Sequence, residues 1–338
     1  MAQNTEKIAY TTDMARKYIR ELDPKVLKNL LTDRTTGQNI TFATADYEEF
    51  GTGFGENDEI LPFCVTGAHS ATICPRTAKS QTTQAGRTKN KAEVFTPAWV
   101  CNAQNNMVDR EFFGRDGAFN TEGEKCWHVT EGPVNFDGAK GTWQDYVDLR
   151  RMEISCGEAP YIVSRYDSAG GEMIELPLRI GILDRKLRVV GENATAPEEW
   201  LKWAERAVQS VYGFEFQGDS LFLARENVLL TYYEYYYDRF AQEPTCDNLR
   251  QISKIISWNL WQMDGLKGVR PNSCHKEEAG GEQVSLFGGF QQLEAEECPG
   301  CKTGNIFRHN GVYSKIYDWR RGRSELYVSS LKGGGVNG

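Results

Sequence analysis

The sequence predicts an α/β protein built on a parallel sheet, and three observations predict it. Three long segments after residue 195 read as helices, the first with its apolar residues on one face. Short strand candidates, MEIS, Phe214-Glu215-Phe216 and NLWQMDGL, lie between and beside those segments. Helices of that length joining successive strands are the crossovers a parallel sheet needs. The 338 residues are 40% hydrophobic and 25% charged, so the chain can bury a sizeable core.

Residues 1 to about 35 read as two helices. Asp23-Pro24 suits the N-cap and first position of the second, whose Val26, Leu27, Leu30 and Leu31 share a face. The Asp33-Arg34-Thr35-Thr36-Gly37 turn is dense in polar groups and suggests a binding loop of unassigned chemistry. Gly51-Thr-Gly-Phe-Gly55 reads as a tight surface loop, because no helix follows to make a phosphate cradle. From about 75 to 93 the chain is polar and locally basic, with Arg76, Lys79, Arg87, Lys89 and Lys91. This segment is either a solvated loop or a nucleic-acid contact.

From about 150 strands and helices alternate. MEIS ends in Cys156-Gly157, and RIGILDRKLRVV, with Asp184, reads as a hairpin inserted before the next strand. Helix EEWLKWAERAVQSVYG begins after Thr195-Ala196-Pro197, buries Trp200, Trp203, Ala204, Ala207, Val208 and Val211, and ends at Gly213. A helix follows from about Asp219, where five tyrosines between 232 and 237 read as packing, and another from about Asp247. In such sheets ligands collect at the carboxyl ends of the strands. Those ends carry Cys156-Gly157, Glu215 and Asp264, a set suited to a nucleoside: close backbone approach, an acid for two ribose hydroxyls, and an acceptor for an exocyclic amine.

Charge and cysteine content narrow the classes. Thirty-nine basic against 47 acidic residues give a net charge of −8, which opposes non-specific coating of nucleic acid. The N-terminus has charges where a signal peptide needs an apolar stretch, and no apolar run is long enough to span a bilayer, so a cytoplasmic protein is expected. Nine cysteines without an export signal point to free thiols and a metal site rather than disulfides. Cys298-Pro-Gly-Cys301 has knuckle spacing, and Cys274 and His309 complete a four-ligand set for tetrahedral zinc. An ordinary reduced turn is the other reading of that CxxC. Beyond it, HNGVYSKIYDWRRGRSELYV alternates aromatic and basic residues, as an antiparallel hairpin or a small DNA-contacting module would. His69 and His128 show no partner for a nucleophilic triad.

The order of the pieces resembles one family. Phe95-Thr96-Pro97 precedes Glu153-Ile-Ser155-Cys156-Gly157-Glu158-Ala159. Gly213-Phe-Glu215-Phe216 with Ala224-Arg225-Glu-Asn227 comes next, then Asn259-Leu-Trp-Gln-Met-Asp264-Gly265-Leu266. Together they resemble the N6-adenine DNA methyltransferases, the modification subunits of restriction–modification systems. The resemblance, over about 90–270, implies a Rossmann-like S-adenosylmethionine-dependent core over 93–270; the residues themselves suggest a helical and loop N-terminal region over 1–92 and, from its glycines and CxxC, a small C-terminal module over 271–338. The resemblance implies a cofactor held by the segments just quoted, with Thr96 and the 153–159 turn near the methionine end, Glu215 on the ribose and Asp264 on the adenine amine. It also implies DNA as partner, with a flipped adenine as substrate, and no membrane. Two departures stand out: Ala159 replaces the family's last loop glycine, and no Asn-Pro-Pro of the catalytic N-P-P-Y motif occurs. A cofactor- or DNA-binding subunit that is silent alone, working with a second restriction–modification subunit, is therefore the alternative.

Overall fold

The computed structural model describes residues 20, 21, 23–80, 84, 87–89, 96–276, 283, 284, 290, 291 and 296–332. Phe95 and the expected first helix, apart from Arg20 and Glu21, lie outside the described residues, as does Lys91.

Helix α1, Pro24–Leu31, forms as its cap requires: Asp23 accepts the Lys25 amide at 2.9 Å, and Val26, Leu27, Leu30 and Leu31 are buried. Helix α2, Ala98–Phe113, follows the Thr96-Pro97 segment and ends at Gly114 in the left-handed region. A small antiparallel ladder comes next, β1 at Asn120–Glu122 and β2 at Trp127–Val129, and then a capping-boxed helix α3 at Trp143–Asp148.

The central sheet has three parallel strands in sequential order: β3, Arg151–Glu153; β4, Val211–Glu215; and β5, Leu260–Gln262. Between β3 and β4 run α4, Ile182–Asn193, and α5, Pro197–Gln209. Between β4 and β5 run α6, Gly218–Phe240, and α7, Cys246–Asn259. The expected α/β class with helical crossovers is what the chain adopts. One face of the sheet meets a large core in which α1 packs on α7 and α5 packs on α4 and α7. The other face of β4 and β5 is covered from the C-terminal side. There Tyr212, Phe214, Trp261 and Met263 pack with Tyr327 and Val328. Short elements complete the chain: β6, Gln283–Val284; β7, Phe290–Gln291; α8, Pro299–Thr303; the hairpin of β8, Lys315–Asp318, and β9, Arg323–Leu326; and α9, Tyr327–Lys332.

Two expectations need correction. The segment RIGILDRKLRVV is no hairpin but helix α4, with Leu183, Leu187 and Val190 on its buried face. Its Asp184, Arg185 and Lys186 are buried too, each with partners. Arg185 pairs with Asp109 at 2.6 Å, and Lys186 donates to Ser210 Oγ at 2.5 Å and to the Leu149 carbonyl. Leu183, Leu187 and Val190 do recur at helical spacing, but the charged Asp184-Arg185-Lys186 run between them reads as a turn. Gly213, expected as a helix end, lies inside β4, and Val211 belongs to the strand. A Cβ on Gly213 would stand 3.0 Å from Leu260 and 3.2 Å from Cys156, so glycine lets the loop after β3 close onto the sheet. The tyrosine run packs as expected: Tyr232 and Tyr233 are buried, and only Tyr237 is largely exposed.

Candidate functional site

The carboxyl ends of β3 and β4 meet in one turn. Three non-adjacent residues after β3, Ser155, Gly157 and Ala159, take positive φ values of 50°, 53° and 66°, winding the chain back over the sheet. This winding aims the Gly157 amide at Glu215 Oε2, 2.8 Å away at the end of β4. The Gln217 amide reaches Glu215 Oε1 at 3.1 Å. Glu153 accepts from the Ile162 amide at 3.2 Å and more weakly from that of Tyr161. Burial raises both carboxyl groups above the usual range; for Glu153 the neighbouring Glu215 adds to it, and the amide donors only partly offset it. Among the described residues neither forms an ion pair with Lys, Arg or His. A Cβ on Gly157 would meet nothing within 4 Å, so there is room before the turn.

Thr96 comes to the same place. Its side chain bonds that of Tyr161, its carbonyl accepts from Ser168 at 2.8 Å, and Cys101 lies beneath, its thiol pushed to about 12 by burial and by Glu153. Pro97 caps α2, and the next amide, of Ala98, donates to Asp167 at 2.9 Å. Thr96, Glu153, Gly157 and Glu215 are thus gathered, with Tyr161 and Cys101 as neighbours the sequence reading missed. Tyr161, two residues beyond Ala159, offered only its place in the turn as a signal.

Other expected cofactor residues serve packing. Cys156 is 1% exposed against Gly213, and Ala159 is fully buried. Glu158 accepts the Arg76 amide at 2.7 Å and the Tyr166 hydroxyl, and Asn227 donates to its carbonyl. Ser155 is exposed, and the Phe216 carbonyl accepts from Gln262 at 2.9 Å. Asp264 closes its own turn, accepting the Leu266 and Lys267 amides at 3.0 and 3.2 Å and pairing with Lys267 at 3.3 Å. Gly265 packs beneath the Phe214 ring, and Leu266 is 89% exposed. Arg225 donates to the carbonyls of Leu30, Thr32, Ser257 and Leu260, and burial lowers it to about 9.

The N-terminal residues frame these strand ends. Gln262 bridges Thr41 and Phe216, and the Gly218 amide donates to Phe42. Asp219 receives Tyr47, Lys79 and Arg87, so two cations of the basic 76–91 segment point inward. The Asp33 loop is likewise tied down, by Arg270 at 3.0 Å and by its own Thr35 amide. His69 packs among Phe50, Phe54 and Phe63, whereas His128 lies on β2.

A second site is metal-like. Cys274, Cys298, Cys301 and His309 bring their ligand atoms within 4.8 Å of one another, a group that could hold a metal ion. Cys298 caps α8 and Cys301 follows one turn later, which puts both sulfurs on one side. His309 Nδ1 lies 3.5, 3.6 and 3.7 Å from the sulfurs of Cys274, Cys298 and Cys301. Burial opposes ionisation of Cys298, but the amides of Asn310 and Cys301 and the His309 ring pull it down to about 6. All nine cysteines are free of disulfides.

Comparison with protein-family models, with curated proteins and with solved structures gave no match. No helix among the described residues is long and apolar enough to cross a membrane.

Proposed function

We propose that the chain binds S-adenosylmethionine at the ends of β3 and β4 and serves methyl transfer to the N6 amine of adenine in DNA, within a restriction–modification system of the cytoplasm. The observation that carries this reading is the Gly157 amide on Glu215 across adjacent parallel strand ends. A glycine turn that brings its backbone to a strand-end acid is the arrangement by which open α/β sheets take nucleotides and nucleosides. Charge supports the cofactor further. Two half-buried carboxyl groups that have no cationic partner among the described residues suit a ligand that carries a sulfonium and an ammonium. When bound, the cofactor supplies an activated methyl group. Glu215 would accept the ribose hydroxyls, while Glu153, Thr96 and the Gly157 turn would orient the methionine end. Direct transfer to an amine needs alignment more than a strong base. A Rossmann-like methyltransferase core over 93–270 is part of the same proposal, as is zinc at the Cys3His group.

The absence of any Asn-Pro-Pro favours a second reading, a cofactor- or DNA-binding subunit that depends on a second polypeptide for catalysis. Calorimetric titration with S-adenosylmethionine and S-adenosylhomocysteine tests the site. Binding by the wild type that is lost in Glu215→Gln is expected; no binding of either ligand would overturn the proposal. Methyl incorporation into duplex DNA by the chain alone separates the enzyme from the silent subunit.

A further inference from the structure

We infer that the Cys3His group is a closed, structural zinc centre that holds the Asp264–Arg270 turn in place, so that metal occupancy and ligand binding at the strand ends are coupled. The coupling to ligand rests on the nucleoside-type site proposed above; the metal and its hold on the turn do not.

The ligand set is already arranged for one ion. Tetrahedral zinc with bonds of about 2.3 Å to sulfur and about 2.0 Å to nitrogen places sulfur and nitrogen about 3.5 Å apart. The three sulfur–Nδ1 separations, 3.5 to 3.7 Å, match that figure. Four protein ligands fill a tetrahedron and leave no open position, which separates this centre from a catalytic one. The shell is built to match. The Asn310 amide donates to Cys298 Sγ at 3.3 Å, and the His309 amide donates to the Tyr313 hydroxyl at 2.9 Å. Two glycines make room for the ligands. A Cβ on Gly300 would lie 2.5 Å from the His309 ring, and one on Gly311 would lie 3.1 Å from Cys274 Sγ.

The centre reaches the sheet along two routes. Through the backbone, Val269 bridges both Asp264 and Tyr313, and Arg270 donates to the Val312 carbonyl at 2.8 Å. The Ser314 amide donates to Gly268, its hydroxyl donates to the Gln262 carbonyl at the end of β5, and the following amide, of Met263, donates to the carbonyl of Glu215 at 3.0 Å, which carries the turn's position to the strand-end acid. Cys274 follows four residues after Arg270, while His309 precedes Val312 and Tyr313. The ion therefore ties both arms of this ladder at one point. Through charge, a cavity of about 350 Å³ is lined by Asp264 and Lys267 on one side and by Cys274, Cys298 and Cys301 on the other. Zinc with three thiolates and a neutral imidazole keeps one net negative charge. Lys267 is the cation shared between that charge and Asp264, its partner at 3.3 Å.

The test uses the full chain, with and without one equivalent of zinc, and with cobalt as a spectroscopic probe. One metal per chain and the thiolate-to-cobalt absorption of a tetrahedral site are expected, and Gly300→Ala should weaken metal binding at least tenfold. Gly304→Asn, at a left-handed position with nothing within 4 Å, should leave metal binding unchanged. Hydrogen exchange of the Asp264, Gly268, Arg270 and Ser314 amides should speed up at least tenfold on metal removal, while amides of α6 keep their protection. Lys267→Gln, which leaves every ligand in place, should still bind one metal but several-fold more weakly. Finally, metal removal should weaken S-adenosylhomocysteine at least fivefold, and by reciprocity that ligand should tighten metal. Substoichiometric metal in the wild type overturns the inference, and so does bound metal that leaves exchange at 264–270 unchanged. Metal-dependent exchange with no ligand binding to either form sinks the proposed cofactor site and leaves the zinc clasp standing.

Discussion

Two acids four residues apart, the half-buried Glu215 and the buried Asp219, are treated in opposite ways. Asp219 lies between Lys79 at 3.1 Å and Arg87 at 2.9 Å and accepts the Tyr47 hydroxyl, so burial is outweighed and its carboxyl sits well below the usual range. Glu215 receives only backbone amides, and burial raises it. Asp219 is satisfied within the protein and binds the N-terminal region to the start of α6. Glu215 keeps unmet capacity for hydrogen bonds and for positive charge, as a ligand-binding acid should.

Removing Asp219 should give the largest effect. Asp219→Ala takes the carboxylate away from Lys79 and leaves Arg87 with Asp46 as its acid, and should destabilise the fold by about 3–5 kcal/mol, measured by denaturant unfolding. A loss under about 1 kcal/mol would mean that the cluster is not formed in solution. Acid should expose the same contrast. A depressed carboxyl adds stability above its unfolded value near ~4 and loses it as pH falls through the folded value, so Asp219→Asn should blunt acid destabilisation. Asp184 has the opposite sign. Burial lifts it to about 6 although it accepts the Ser164 amide and hydroxyl, and Arg179 lies 4.0 Å away. Its folded form prefers the proton, so it should cost stability progressively as pH rises from ~4 to ~6, by about 3 kcal/mol in all. Stability of Asp184→Asn followed across that window should lack this slope.

Glu215→Gln sharpens the comparison from the other side. Stability at pH 7 should change by no more than about 1 kcal/mol, because the charge replaced was disfavoured by burial. Affinity for S-adenosylhomocysteine should fall about 10- to 100-fold, the worth of charge-assisted hydrogen bonds. Equal losses of stability in Glu215→Gln and Asp219→Asn would erase the distinction. The smallest effect belongs to the exposed Arg110–Asp116 pair, where Arg110→Ala should leave the unfolding midpoint unchanged within error.

Much of the sheet was legible because its signals are local. Asp23 caps α1, Thr195-Ala196-Pro197 opens α5, and apolar stripes mark α5 and α7. Helix α4 was not, because Asp184, Arg185 and Lys186 are buried on partners as distant in sequence as Asp109 and Ser210. Of the candidate site, the meeting of Gly157 with Glu215 followed from strand order. The role of Asp264 did not, since its side chain turns to amides two and three residues ahead rather than outward. Cys156 and Ala159 belonged to the right turn but face the core. The metal group was readable from the CxxC spacing, though only folding brings Cys274 to His309.

Lys186 has a consequence for reactivity. Its amine is 1% exposed, bonded to Leu149 and Ser210 just before β3 and β4, and burial holds its pKa well below the ordinary lysine value. An amine so readily deprotonated would be a strong nucleophile, yet no reagent in solvent can touch it. Acylation of Lys186 should therefore wait for the sheet to open, and its rate beside that of exposed Lys125 would time the opening of the native protein.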